Sequence, residues 1–359
     1  MSATAKGHGP IRIGIVGAGS TTVEGHVPRF RAIDGVEIAG VVNRTRESSE
    51  RVAEELKIPR VYEGWPELMA DPAIDAVCIG TWPYMHRPLV LAALESGKHV
   101  LTEARMAMSG EDAREMLEAS MREPELVAMV VPPNILDLDV MRKIIELIGD
   151  GSIGDVVSAD FVFQVGFPDP DGPFTWRHDT DLSGFNVMML GAWYEHLMRI
   201  LGPATSVTSA TTVAYSMRWE GAGLRSTPVP DHVEVLADMA GGALMHMRMS
   251  SVVGLVPAGE LWVFGTLGTL RCILDPAIDP DKGKGAWLWL GNVGDEALKE
   301  IEVTYRGTAN ITEERDFIGA IRGEGPVTMT TFADGVRYME FTEAVTRSAQ
   351  ERRAIALPL

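Results

Sequence analysis

The stretch I-R-I-G-I-V-G-A-G-S-T-T, residues 11–22, decides the fold. Ile11 to Val16 reads as a buried strand, and it breaks at Gly17-Ala18-Gly19. Strands covered on both faces read as near-continuous apolar runs and belong to parallel sheets. Gly17 permits a tight turn at the strand end, and Gly19 lets the backbone approach a diphosphate. Amides at the start of the next helix would hold the phosphates. The third glycine of G-x-G-x-x-G is Thr22 here, so the pattern is degenerate, and its weight comes from its position in the chain.

Working outward, strand and helix signals alternate. A second strand covers 36–43, with a short helix from Val27 to Ile33 before it and an amphipathic helix from Ser48 to Leu56 after it. A third strand covers 73–81, and the helix Pro88 to Ser96 ends at Gly97. A fourth strand, K-H-V-L-T-E, runs over 98–103, a helix opens after Ser109, and a fifth strand covers 126–131. This predicts an α/β fold, a doubly wound parallel sheet of the Rossmann type. The glycine turn then sits inside a βαβ unit, which predicts dinucleotide binding by Gly17, Ala18, Gly19, Ser20, Thr21 and Thr22. An acid at the end of the second strand would accept hydrogen bonds from the adenosine ribose and repel a 2′-phosphate. The chain has Asn43-Arg44-Thr45-Arg46 there instead. Arginine forks suit phosphate, so the expected coenzyme is NADP, held by Asn43, Arg44 and Thr45. NAD stays possible, with Asn43 on its ribose.

Pro132-Pro133 breaks the rhythm and sets the expected boundary: residues 1–131 a dinucleotide-binding domain, 132–359 a second domain for substrate binding and oligomerisation. Longer, alternating strands follow a glycine-capped helix, at 156–165, 205–215, 232–239, 243–251, 260–265 and 269–274. Gly241-Gly242 and the turn at 265–268 predict hairpins. A helix after Asn186 and two near 312–322 and 333–349 complete an α+β domain with a large, mostly antiparallel sheet.

Composition narrows the partners. The chain has 359 residues, 46% of them apolar, and a net charge of −18, which argues against nucleic acid or an anionic membrane. No run approaches the roughly 18 apolar residues of a membrane span, and the N-terminus lacks a signal-peptide core. Cys78 and Cys272 lie in apolar runs and read as buried thiols; no metal-ligand cluster involves them. A reducing, cytoplasmic setting is expected, with no metal in the site.

V-C-I-G-T-W-P-Y-M-H-R-P-L-V-L-A-A-L-E-S-G-K-H-V-L-T-E-A (77–104), W-R-H-D-T-D-L-S-G-F-N (176–186), F-G-T-L-G-T-L-R-C (264–272) and the closing A-V-T-R-S-A-Q-E-R-R-A-I-A-L-P-L (344–359) together resemble the Gfo/Idh/MocA oxidoreductase family. The resemblance covers nearly the whole chain. It implies a Rossmann domain followed by an open-sheet domain, with nicotinamide at the cleft between them. It implies a sugar, inositol or polyol hydroxyl as the reacting group, and assembly through the open sheet into a homo-dimer or homo-tetramer. It places Thr81, Trp82, His86, Glu103 and Ala104 along the coenzyme, with Trp82 walling the nicotinamide and forming an aromatic cleft with Trp176 and Trp193.

Departures from the family pattern decide the chemistry. The family's E-K-P lysine, which usually helps move the hydroxyl proton, falls on Ala104, and its proline on Arg105. The D-x-x-x-H element falls on Met189 and Trp193. Hydride transfer from a CH–OH group needs a partner for the hydroxyl proton, worth roughly 10²–10⁴-fold in rate. The residues that could supply it are Tyr194, Glu195 and His196, early in one helix, with Arg105 or His178. Three functions fit: an NAD(P)-dependent oxidoreductase of a sugar, polyol or glycoside hydroxyl or the matching ketone, with an atypical proton relay; redox-assisted glycoside cleavage with tightly held NAD; or a non-catalytic dinucleotide-binding regulator.

Overall fold

The computed structural model describes residues 9–132, 138–167, 169, 171–185, 187, 189–255, 258–274, 286–303 and 312–359. His8, Pro133 and Asn186, on which parts of the sequence reading fall, lie outside the described residues. Contacts divide the chain into two compact units, Met1–Pro132 with Ala309–Val336, and Pro133–Thr308 with Arg337–Leu359.

In the first unit β1 (Ile11–Val16), β2 (Val36–Val42), β3 (Ala76–Ile79), β4 (His99–Thr102) and β5 (Ala128–Val130) form a parallel sheet in the order β5-β4-β3-β1-β2. Ile13, Ile15, Ala76, Val77, Ile79, Val100 and Leu101 are fully buried, as expected of strands with helices on both faces. The strand after β1 lies on one side of it and the next on the other. The carboxyl ends of β1 and β3 therefore flank a topological switch point, the place where such sheets bind ligands.

The helices are α1 (Val27–Arg31), α2 (Arg46–Leu56), α3 (Trp65–Ala70), α4 (His86–Glu95) and α5 (Gly110–Arg122). α2 is capped by Thr45, whose hydroxyl accepts from Ser48 N–H, and α5 by Ser109, which accepts from Asp112 N–H. The first helix begins earlier than its apolar residues suggest. Helical winding starts at Ser20, passes through a π turn at Thr22–His26, and continues as α1.

The second unit is built on α6 (Leu138–Gly149), α7 (Thr180–Ser183), α8 (Leu190–Leu201) and a large sheet. Its strands are β6 (Val156–Gln164), β7 (Ala204–Thr212), β10 (His232–Met239), β11 (Leu244–Ser250), β12 (Gly259–Gly265), β13 (Gly268–Leu274), β14 (Ala286–Asn292) and β15 (Lys299–Ile301). A separate hairpin pairs β8 (Met217–Glu220) with β9 (Gly223–Ser226). The sheet order is β15-β14-β13-β12-β6-β11-β10-β7, finished by a two-residue strand at Ile355–Ala356. β10–β11 and β12–β13 are the expected antiparallel hairpins; β6 and β11 pair in parallel. One face carries the core, including Phe161, Met247, Val263 and Cys272.

The chain then returns to the first unit. α9 (Glu313–Ile321) belongs there, as does a two-residue strand, Thr330–Thr331, that pairs antiparallel with β5. The composition shift at Pro132-Pro133 assigns everything beyond it to the second domain; contacts put 309–336 with the first. α10 (Phe332–Glu351) follows. Among the described residues no helix is long and apolar enough to cross a membrane.

Candidate active site

Gly17, just beyond β1, has φ +86°, and a Cβ there would lie 2.7–2.9 Å from Thr81 and the Gly80 backbone. Only glycine fits that turn. Gly19 is exposed, and a Cβ on it would meet nothing within 4 Å. Thr22 stands where the fingerprint has its third glycine. It is buried, and its hydroxyl donates to the Gly17 carbonyl over 3.2 Å. Room for it comes from Gly80 at the end of β3, where any Cβ would run into the Thr22 hydroxyl and the Gly17 carbonyl. The close helix–strand approach survives with the missing side chain moved to the neighbouring strand. Ser20 and Thr21 are exposed at the helix start, where backbone N–H groups and the helix dipole favour an anion.

Asn43 braces this loop. Its Oδ1 accepts from Ala18 N–H at 2.6 Å, and its amide nitrogen donates to Ser48. Thr45 spends its hydroxyl on the α2 cap. The two arginines behind Asn43 differ. Arg46 is paired with Glu50 and Glu63, whereas Arg44 is exposed and meets no carboxylate among the described residues. The Arg44 guanidinium lies 5.6 Å from the Trp82 ring centroid. Trp82 therefore extends across the loop toward the end of β2, the adenosine end of such a site.

His86 is fully buried, with Nδ1 2.9 Å from the Arg105 carbonyl and Nε2 2.9 Å from the Thr81 carbonyl. Burial holds its pKa below the usual value. It sits between the loops after β3 and β4, and as a neutral ring it donates to one of the two carbonyls. Ala104 is exposed and Arg105 half-buried, and the peptide between them is cis.

A cluster that sequence reasoning missed lies beside these loops. His26, at the end of the π turn, is buried, with Nδ1 2.5 Å from Glu314 Oε1 and Nε2 3.0 Å from Glu103 Oε1. Both partners are carboxylates, so both ring nitrogens donate and the ring is an imidazolium. Burial is the largest single influence and opposes that charge. Together the two carboxylates outweigh it and raise the pKa to about 9. Arg29 adds bonds to Glu313 at 2.7 Å and Glu314 at 3.7 Å. Burial and Glu314 push the Glu313 carboxyl up. The ligand atoms of His26, Glu313 and Glu314 lie within 4.8 Å of one another, metal-like in spacing, but two cations already balance the carboxylates. No sequence signal joins residues 26, 103 and 314.

In the second unit Tyr194, Glu195 and His196 do not form one group, because consecutive residues on a helix point in different directions. Tyr194 is turned into the core: its ring stacks on Phe341 at 3.6 Å, its hydroxyl accepts from Ala204 N–H at 2.8 Å, and burial pushes its pKa up to about 12. Glu195 is buried and paired with Arg199 at 2.9 Å. His196 is buried and donates from Nδ1 to the Ala192 carbonyl at 3.1 Å. His178 is half-buried and has the opposite tautomer: its Nδ1 accepts from Thr175 N–H at 3.0 Å, so Nε2 carries the proton. Burial, then Arg218 and Arg177, lower its pKa and keep it neutral. Trp193 is not a cleft wall. It is buried against Phe161 and Phe163, at 4.8 and 4.5 Å, while Trp176 packs under Arg177.

A switch-point turn with an open glycine, a helix start and an arginine with no carboxylate partner among the described residues fit a dinucleotide. Residues 11–130 match the Gfo/Idh/MocA oxidoreductase family model for an NAD-binding Rossmann fold, and residues 141–271 match a Gfo/Idh/MocA C-terminal domain. The chain belongs to this family and is an NAD(P)-dependent oxidoreductase. It is 28% identical over 278 residues, 76% of each chain, to dTDP-3,4-didehydro-2,6-dideoxy-α-D-glucose 3-reductase of Saccharopolyspora spinosa. It is 30% identical over 202 residues, 55% of this chain and 60% of the relative, to D-xylose 1-dehydrogenase (NADP(+)) 2 of Haloferax volcanii. Its fold is similar to that of levoglucosan dehydrogenase in complex with NADH and levoglucosan: TM-score 0.79 at 19% identity, covering 98% of this chain and 100% of that one.

Proposed function

We propose that the protein interconverts a sugar-like CH–OH group and the matching ketone, using NADP in preference to NAD. The open glycine turn at the switch point carries this reading, because it fits a diphosphate without rearrangement. Arg44, with no carboxylate partner among the described residues, supports NADP. The kinship with a dTDP-sugar reductase and a xylose dehydrogenase supports a carbohydrate substrate.

Bound nicotinamide would supply or accept the hydride; the chain must manage the proton. Ala104 cannot. We assign the proton to His196, whose Nδ1 is held on the Ala192 carbonyl. The Nε2–H of His178 is a donor suited to an alkoxide-like oxygen. Tyr194 and Glu195 serve the packing of α8. In this reading the first unit, with its returning segment 309–336, holds the coenzyme, and the second unit supplies substrate contacts and a self-association face. The buried thiols of Cys78 and Cys272 fit a reducing, cytoplasmic setting.

The test is a sugar and ketosugar panel followed at the coenzyme absorbance, with mass spectrometry of small molecules released from the purified protein. His196→Gln is expected to cut kcat by about 10²–10³-fold with coenzyme affinity unchanged. Unchanged kcat would move the proton to another group. Failure to bind either nicotinamide coenzyme would remove the reading.

A further inference from the structure

The other members of the buried cluster in the first unit are closed off from any ligand. Glu314 is fully buried, with Oε1 on His26 and Oε2 without a hydrogen-bond partner among the described residues, Glu313 is 4% exposed on Arg29, and His26 is 1% exposed between two carboxylates. Glu103 differs. Its side chain is 17% exposed, its Oε1 is on His26, and its Oε2 has no hydrogen-bond partner among the described residues. It follows β4 directly, one strand from Gly80 and Thr81. A carboxylate so placed has an unused acceptor at the carboxyl end of the sheet, the edge where the coenzyme binds.

We propose that His26 is a positioning residue for the coenzyme: by bridging Glu314 to Glu103 it holds the Glu103 carboxylate fixed at the end of β4, as an acceptor for hydroxyl or amide N–H donors of the nicotinamide half. The inference rests on the coenzyme reading above. The bridge also explains the π turn, which puts one more residue into the helix between the glycine loop and the ring that must reach both carboxylates. It joins three segments far apart in sequence, 22–26, the end of β4 and the returning α9.

Position is the means: the ring holds Glu103 only while both of its nitrogens donate. Removing the imidazolium proton leaves a neutral ring that can donate to only one of its two carboxylates. The groups around the ring are Glu103 after β4, Glu313 and Glu314 on α9 and Arg29 on α1; Cys78 on β3 feels the same carboxylates. Burial holds the Cys78 thiol well above its usual pKa, so it adds no charge in the working range. The ring is the member that titrates near pH 9.

The experiment is fluorescence titration of the whole protein with NADPH and NADH from pH 7 to about 10.5, with the melting temperature recorded at each pH. For the wild type, affinity should hold to about pH 8 and weaken about tenfold as pH passes the His26 pKa of about 9. His26→Gln should bind about tenfold more weakly at pH 7 and show no alkaline break. Glu103→Gln, at a partly exposed position, should do the same and carries the test if His26→Gln does not fold. Wild-type affinity that stays flat while the protein remains folded overturns the proposal. So does an alkaline break that survives in Glu103→Gln, or one that only follows melting. No binding of either coenzyme at pH 7 would instead sink the coenzyme reading itself.

Discussion

In the proposed reading, Arg44 is the side chain that would separate the two coenzymes. Arg46, the first residue of α2, is consumed by Glu50 and Glu63, so its charge is cancelled where it stands. Among the described residues Arg44 meets no carboxylate and lies over the Trp82 ring, a contact worth roughly 0.5–1 kcal/mol at an exposed site. A 2′-phosphate offers more, since charge-assisted hydrogen bonds contribute about 1.5–3 kcal/mol. Arg44→Ala should therefore weaken NADP binding about 10–100-fold and leave NAD nearly unchanged. Calorimetric titration with both coenzymes checks this, and equal losses would place Arg44 elsewhere. The dipeptide Asn43-Arg44 was legible as a phosphate signal because it is local. Which of the two arginines is unpaired was not, because Glu63 lies beyond α2.

At the scale of elements, the first helix and α9 are held by the His26 bridge, and the bridge makes stability depend on pH. The folded-state pKa of His26 is raised from 6.5 to about 9. A raised pKa means that the folded state holds the proton more tightly. The contribution is complete below about pH 6.5 and is lost as pH climbs to about 9, and it amounts to on the order of 3 kcal/mol. Urea unfolding at pH 6, 8 and 10 should show the gap between wild type and His26→Gln closing with rising pH. A gap independent of pH would mean that His26 acts as a neutral spacer. The same scale explains α8. Its period was readable, but three adjacent polar residues on one helix cannot share a target, and the core claimed Tyr194 through Phe341 and Ala204.

For the whole molecule, the open face of the large sheet has one row running Trp289, Arg271, Trp262, Asp160, His246, Leu236. Arg271 stacks over both tryptophans, and Leu236 and Leu244 stand about half exposed. Aromatic and arginine clusters of this kind are typical of interface centres. We expect the protein to associate through this face as a homo-dimer or homo-tetramer. Trp262→Glu with Leu236→Glu should shift sedimentation to the monomer while the isolated fold persists. An unchanged mass would place the contact elsewhere.

The sequence alone determined what repeats locally: buried strands, the glycine bend after β1, the helix start after Ser109, and the alternation that makes a parallel sheet. These depend on neighbours a few residues away, so one chain suffices to read them. Tertiary structure decided what depends on distant residues. Gly80 makes room for Thr22. The return of α9 to the first unit brings Glu314 to His26, 288 positions away. Packing sent Tyr194 and Trp193 into the core. A hydrogen bond or a close contact is set by distance in space, and only folding supplies it.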